Sequence, residues 1–434
     1  MADAFKQTIS EGYEFPGEHF LLGAAIHDQK ALAGVPIDIP LATLNRHGLI
    51  AGATGTGKTK TIQKIVEELS EHGVNVLCMD IKGDLSGLAR PGVENPKIRE
   101  RMEKIGAPWS PQGYPVELLT ISDEPGLRMR ATVAEFGPLV FSRILELNEN
   151  QEGVVTLVFK YCQDKNLPLI DLQDFRAVLQ HLLKVDSREL SAYGAISPAS
   201  VGVILRELLE LEQQGGGKLF GSPSYDVNDF LKKDSSGRAV INILRLCDIQ
   251  DKPKLFSSFM LCLLTEVYAK FPEIGDKGKP KLVIFIDEAH LLFRAATKNL
   301  LAQIETVIKL IRSKGVGIYF CTQLPSDVPQ VVLSQLGGKF QHALRAFTAK
   351  DRKDIKLVSE NYPITSFYKT NELLTELGIG EALLTVLNEK GNPTPLVQCL
   401  LAAPRSRMDL LTPEELADIV QSSVLASIYN RETP

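Results

Sequence analysis

The chain has 434 residues, 44% of them hydrophobic and 23% charged, and a formal net charge of −5. That length exceeds one ordinary domain, and the composition is that of a globular protein with a substantial buried core. The negative balance excludes a broadly basic coat of the kind that blankets nucleic acid, but it leaves room for a local basic groove.

The opening residues lack a basic segment leading into an apolar stretch, so no signal peptide is expected. No apolar run reaches the ~20 residues a membrane helix needs, so no membrane partner is expected and the cytoplasm is the expected compartment. The six cysteines stand far apart and form no C-x-x-C pair. They read as reduced, buried hydrophobes, with no metal or disulfide role.

Residues 1–45 mix turn signals with short strand patterns at 20–23 and 35–38, which suits a cap segment or edge hairpin. A buried-strand pattern at 48–51 then runs into a glycine-rich turn. Beyond the turn, Ile62, Ile65, Val66 and Leu69 recur at helical spacing. A second buried strand at 74–79 ends at Asp80, and strand, helix, strand in that order implies a parallel βαβ unit. Further strands are predicted at 116–121, 239–244, 282–286, 316–321, 340–347, 382–387 and 396–401. Several are apolar throughout, as strands covered on both faces are. Segments 139–147, 154–161, 172–183 and 201–211 show helical periodicity instead. Near the C-terminus, Thr412, Pro413 and Glu415 form a capping-box pattern that starts a last helix. The fold class expected is α/β, a P-loop core of RecA-like type with a mostly parallel sheet and an inserted helical subdomain. The division expected is a cap segment at 1–45, core at 46–136, helical insertion at 137–231, core again at 232–402 and a helical tail at 403–434.

Gly52, Ala53, Thr54, Gly55, Thr56, Gly57, Lys58 and Thr59 fit G-x-x-x-x-G-K-[ST] in full. The glycines let backbone N–H groups wrap a phosphate chain, and the helix that follows aims its positive end at the same anion. Lys58 is placed to neutralise phosphate and Thr59 to ligate Mg²⁺, with Lys60 completing the nucleotide-binding loop. A chance match would not need the strand-turn-helix setting that surrounds this one. Residues 282–286 form a buried strand ending in Asp287 and Glu288. Asp287 is the candidate second Mg²⁺ ligand and Glu288 the candidate general base for an attacking water. ATP and Mg²⁺ are the cofactors these two motifs imply.

Gln323, at the end of the 316–321 strand, either contacts the γ-phosphate and its water or only begins a turn. Asp80 either positions metal or water or only opens the turn 80–84. Arg46 precedes the first core strand, so it would serve only a neighbouring subunit's site. Arg312 closes a helix predicted at 300–311, where a cation is favoured anyway. Arg345 is expected inside the 340–347 strand. Two basic stretches, one from Arg345 to Lys356 and the other comprising Arg294, Lys298 and Lys309, carry interleaved acids and establish no DNA contact alone.

Residues 46–59, the turn 80–87, Asp287 to His290 and Thr322 to Pro325 together resemble the HerA/FtsK superfamily. Within it they are most similar to the bacterial YjgR-type, HerA-like group, over about 46–402. The resemblance implies a homohexameric ring ATPase threading duplex DNA. It carries catalytic roles onto Lys58, Asp80, Glu288, Arg46 and Arg312, with Arg46 acting in trans. It names no partner nuclease. Residues 1–45 are too few for the N-terminal β-barrel of HerA proper, and neither the membrane helices nor the winged-helix domain of FtsK is expected. A DNA translocase or helicase is therefore the leading expectation. A motor that moves protein and a slow, nucleotide-gated scaffold are the alternatives.

Overall fold

A computed structural model of the chain describes residues 2–184, 193–194, 196–275, 278–294, 298–346 and 348–431. Its strands are β1 (His19–His27), β2 (Lys30–Pro40), β3 (Gly48–Ala51), β4 (Asn75–Asp80), β5 (Val116–Thr120), β6 (Leu127–Arg128), β7 (Ile241–Arg245), β8 (Leu282–Ile286), β9 (Val316–Thr322), β10 (Gly338–Gln341), β11 (Glu381–Thr385) and β12 (Val397–Leu401). They form a 12-stranded sheet in the order β2-β1-β12-β11-β10-β3-β9-β8-β4-β7-β5-β6. From β10 to β6 all neighbours are parallel; from β10 through β11, β12 and β1 to β2 all are antiparallel.

The apolar strands are covered on both faces, as their composition predicts. Alternate residues of β3, β4, β8 and β9 enter two different cores. Leu49, Leu77, Ile284 and Phe320 belong to one core and Ile50, Cys78, Phe285 and Cys321 to the other. The helix Lys58–Glu71 covers the second face with Ile62, Ile65, Val66 and Leu69. The first face is covered by helices Pro253–Lys270 and Lys298–Ile311 together with the helical block. All six cysteines are free thiols, four of them buried.

The predicted helices at 139–147, 154–161, 172–183 and 201–211 appear as Val133–Ile144, Glu149–Lys165, Leu172–Leu182 and Pro198–Gln213. The first begins earlier than its apolar period suggests because Thr132 and Glu135 form a reciprocal capping box, and it kinks at Gly137. Thr412 and Glu415 cap the helix Pro413–Ser422 as expected.

β3 and β4 are parallel, as the strand-helix-strand order implies, with β9 and β8 between them. One feature differs from the expectations. β10 stops at Gln341 instead of continuing to 347, and Phe347 lies outside the described residues. His342 N still donates to Ala51 O of β3 (2.7 Å), but beyond it the backbone turns to other partners: Ala343 O accepts from Ala53 N of the loop (2.8 Å), and Leu344 N donates to Leu374 O (2.8 Å). Arg345 is therefore exposed beyond the strand, and the cost of a charge inside the sheet does not arise.

Candidate nucleotide site

The parallel block directs the carboxyl ends of β3, β9, β8 and β4 to one edge, where ligands bind in open α/β sheets. Register aligns Ala51 with Thr322, Phe320 with Ile286, and Ile286 with Met79. The loop 52–57, Gln323, the pair Asp287–Glu288 and Asp80 thus meet, although β3 and β8 are not neighbours.

The loop is held from both sides. Gly52 N donates to Thr322 O at 3.2 Å, and a Cβ on Gly52 would lie 2.5 Å from His342 Cβ. Gly57 precedes the helix at φ 113, a left-handed conformation that favours glycine. No side chain caps that helix, and its first turn holds no acid, so its N–H groups are open to an anion without internal competition. Lys58 is buried and donates to Gly52 O (2.6 Å) and Ala53 O (3.2 Å). Burial pulls its pKa down, Lys82 adds to that, and Glu288 and Asp287 oppose it. Thr59 is half-buried at the start of the helix. The Lys60 ammonium turns away to Met408 O at 2.6 Å.

Asp80 is fully buried, and its two oxygens accept from Gly83 N (2.7 Å) and Leu85 N (3.1 Å). It therefore closes the turn, while remaining close enough to Asp287 for the two charges to interact. Burial, with Asp84 as the next cause, raises the Asp80 pKa to about 7. Asp287 is likewise raised by burial, to about 6, against the pull of Lys82. Glu288 sits at φ 46, a left-handed backbone uncommon for this residue type. Its Oε1 lies 2.5 Å from Lys82 Nζ, and its Oε2 lies 3.3 Å from His290 Nδ1. Gln323 is exposed at the same edge, next to Thr322, whose hydroxyl donates to Asp327 at 2.7 Å.

These residues fit a magnesium nucleotide. The helix start suits phosphate, and the Asp287 carboxylate stands at the same edge as Thr59, where the two can share a cation. Among the described residues no group of three or more His, Cys, Asp or Glu could hold a metal alone.

Arg46 and Arg312 lie at the opposite, amino edge of the sheet. They line one groove of about 760 Å³ with Lys309 and Lys339. Beneath them His47 Nδ1 accepts from Ile318 N at 3.0 Å, so Nε2 carries the proton and donates to Ile308 O at 2.9 Å. Burial pushes its pKa down to about 4. A neutral imidazole thus ties the helix Lys298–Ile311, which leads into Arg312, to β9 and adds no further charge to a groove lined by two arginines and two lysines.

Sequence reasoning did not single out Lys82, His342 or Arg101. His342 Nε2 meets Thr61 Oγ1 at 2.9 Å behind the loop. Arg101 donates to Gly380 O (3.0 Å), Leu401 O (3.1 Å) and Ile379 O (2.9 Å). Only Lys82 carried a local signal, as a lysine in a turn at the end of an acid-terminated strand.

Residues 26–433 match the model of the family described as helicase HerA-like, C-terminal. The chain is 26% identical over 341 residues to a probable helicase of Methanocaldococcus jannaschii, covering 73% of this chain and 60% of that protein. It is 22% identical over 377 residues to the DNA double-strand break repair helicase HerA of Saccharolobus solfataricus, covering 81% and 63%. The chain thus spans less than two thirds of the length of these relatives. Among solved structures, the plasmid coupling protein TrwB in complex with ADP and Mg²⁺ superposes with a TM-score of 0.58 at 15% identity, covering 92% of this chain and 100% of that one. TrwB has also been solved with a GTP analogue and with an ATP analogue. The shared fold is the RecA-like α/β fold. Among the described residues no helix is long and apolar enough to cross a membrane.

Proposed function

This chain belongs to the helicase HerA-like C-terminal family, and from that premise we propose that it is an ATP-hydrolysing motor of the DNA translocase or helicase type, acting in the cytoplasm as a homohexameric ring. The observation that carries the reading is the separation of two half-sites. Lys58, Asp287 and Glu288 converge at one edge of the sheet, whereas Arg46 and Arg312 converge at the other.

In this reading the loop N–H groups and Lys58 bind the phosphates, and Thr59 and Asp287 hold Mg²⁺, which neutralises phosphate charge when bound. Glu288 polarises the attacking water, Asp80 fixes the turn beside it, and Gln323 contacts the water or the terminal phosphate. The base enters a pocket of about 250 Å³ beside the loop, lined by Gly57, Lys60, Arg101, Ile379 and Met408. Stacked head to tail, subunits would present Arg46 and Arg312 to a neighbour's phosphates. The block 137–231 is proposed as a helical subdomain inserted into the core, with 1–45 and 403–434 as its flanking cap and tail.

The test is ATP turnover with and without duplex DNA, on protein whose mass in solution is known. Stimulation by DNA that fades as salt rises, in a particle of six copies, is the expected result. A ring indifferent to DNA favours a motor that moves protein. Tight binding with negligible turnover favours a nucleotide-gated scaffold.

A further inference from the structure

Glu288 is already engaged by a cation. The Lys82 ammonium lies 2.5 Å from Glu288 Oε1 and 3.9 Å from Asp287 Oδ2, and the Lys82 side chain is still 37% exposed. Its backbone is fixed, because Asp80 ties down the turn through Gly83 and Leu85. The other Glu288 oxygen, Oε2, is buried and lies 3.3 Å from His290 Nδ1 without forming a hydrogen bond. A carboxylate paired with an ammonium is a poor proton acceptor, so a base held this way is restrained until the pair opens. The same lysine is close enough to the loop to act on the Lys58 charge. A long, partly exposed chain on a rigid turn, between a carboxylate and a phosphate loop, can reach either anion.

Resting on the ATPase reading, we propose that Lys82 is a positioning residue that responds to the γ-phosphate: it holds Glu288 in an ion pair without a triphosphate and releases it when a terminal phosphate takes the ammonium. A terminal phosphate carries more negative charge than a carboxylate and offers three acceptor oxygens, so it outcompetes Glu288 for one cation. A diphosphate ends one phosphate short and leaves the γ position empty, so the pair stays closed. The base is thereby available only when there is a bond to hydrolyse.

The experiment compares Lys82→Met and Lys82→Gln with Lys82→Arg and the unaltered chain. It measures by calorimetry, with Mg²⁺, the affinities for ADP and for a non-hydrolysable ATP analogue. The neutral variants are expected to bind the triphosphate analogue about tenfold more weakly and ADP within about threefold of the unaltered chain, with Lys82→Arg recovering most of the loss. A purely structural role would weaken both nucleotides alike, and that result overturns the proposal, as does an unchanged triphosphate-to-diphosphate ratio. Either leaves the ATPase reading standing. An unaltered chain that binds neither nucleotide would remove that reading and this one together.

Discussion

Arg46 and Arg312 share a groove at the amino edge of the sheet, on the far side of β3 from Lys58. The four residues of β3 alone span about 13 Å, so neither guanidinium reaches the phosphate loop of its own subunit. In the proposed ring, each arginine would act as a finger supplied to a neighbour's site. Mixing Arg46→Ala subunits with Glu288→Gln subunits should restore part of the activity that each lacks alone, because mixed rings contain some intact interfaces. Arg312→Ala should behave as Arg46→Ala does. A monomer fully active without Arg46 would end the idea.

Glu288 and Lys58 should fail differently. Glu288→Gln keeps the shape of the site but not the base, so nucleotide should still bind while turnover falls by about 100- to 10,000-fold. Lys58→Ala removes the ammonium now held by Gly52 O and Ala53 O and should abolish turnover and weaken binding. Binding by fluorescent nucleotide alongside turnover separates the two. Equal loss of binding in both variants would contradict this division of labour between base and phosphate ligand.

Much of this site was legible because its chemistry is local in sequence. The loop 52–59 carries its own turn, helix start and cation, and β8 and β9 are apolar runs whose burial on both faces leaves no alternation to misread. What escaped depends on strand order. The Lys82–Glu288 pair exists because β4 lies beside β8, and no local pattern reports that pairing. The shortening of β10 is likewise a tertiary effect, its backbone being recruited beyond His342 by Ala53 and Leu374. Other omissions had a signal. Helices Pro96–Ile105 and Pro253–Lys270 both begin with proline at the first helical position, and Asn95 caps the first of them.

The buried carboxylates should make the nucleotide-free protein less stable as pH rises. Asp80, with its pKa raised to about 7, binds more protons folded than unfolded across roughly pH 4 to 7. Stability attributable to it is therefore present at the acid end of that window and lost toward pH 7, by on the order of 1–3 kcal/mol. Asp287 contributes in the same direction, up to about pH 6. Asp80→Asn carries no charge to bury, so its melting temperature should fall less between pH 5 and pH 8 than that of the unaltered chain. An identical fall in the two proteins would show that Asp80 is not the titrating group.

Base discrimination should be weak. In the pocket beside the loop, Arg101 is engaged by three backbone carbonyls and the Lys60 ammonium by Met408 O. Ile379, Ala402, Ala403 and Met408 leave a largely apolar wall for a purine. A pocket of that kind separates near-isosteres by no more than about 10- to 200-fold, whereas one built to hydrogen-bond a particular edge separates them by about 10,000-fold or more. GTP should therefore be hydrolysed with a kcat/KM within about 200-fold of that for ATP. Turnover of the two nucleotides by the same preparation decides the matter. Rejection of GTP by about four orders of magnitude would mean that a base edge is read by groups other than these.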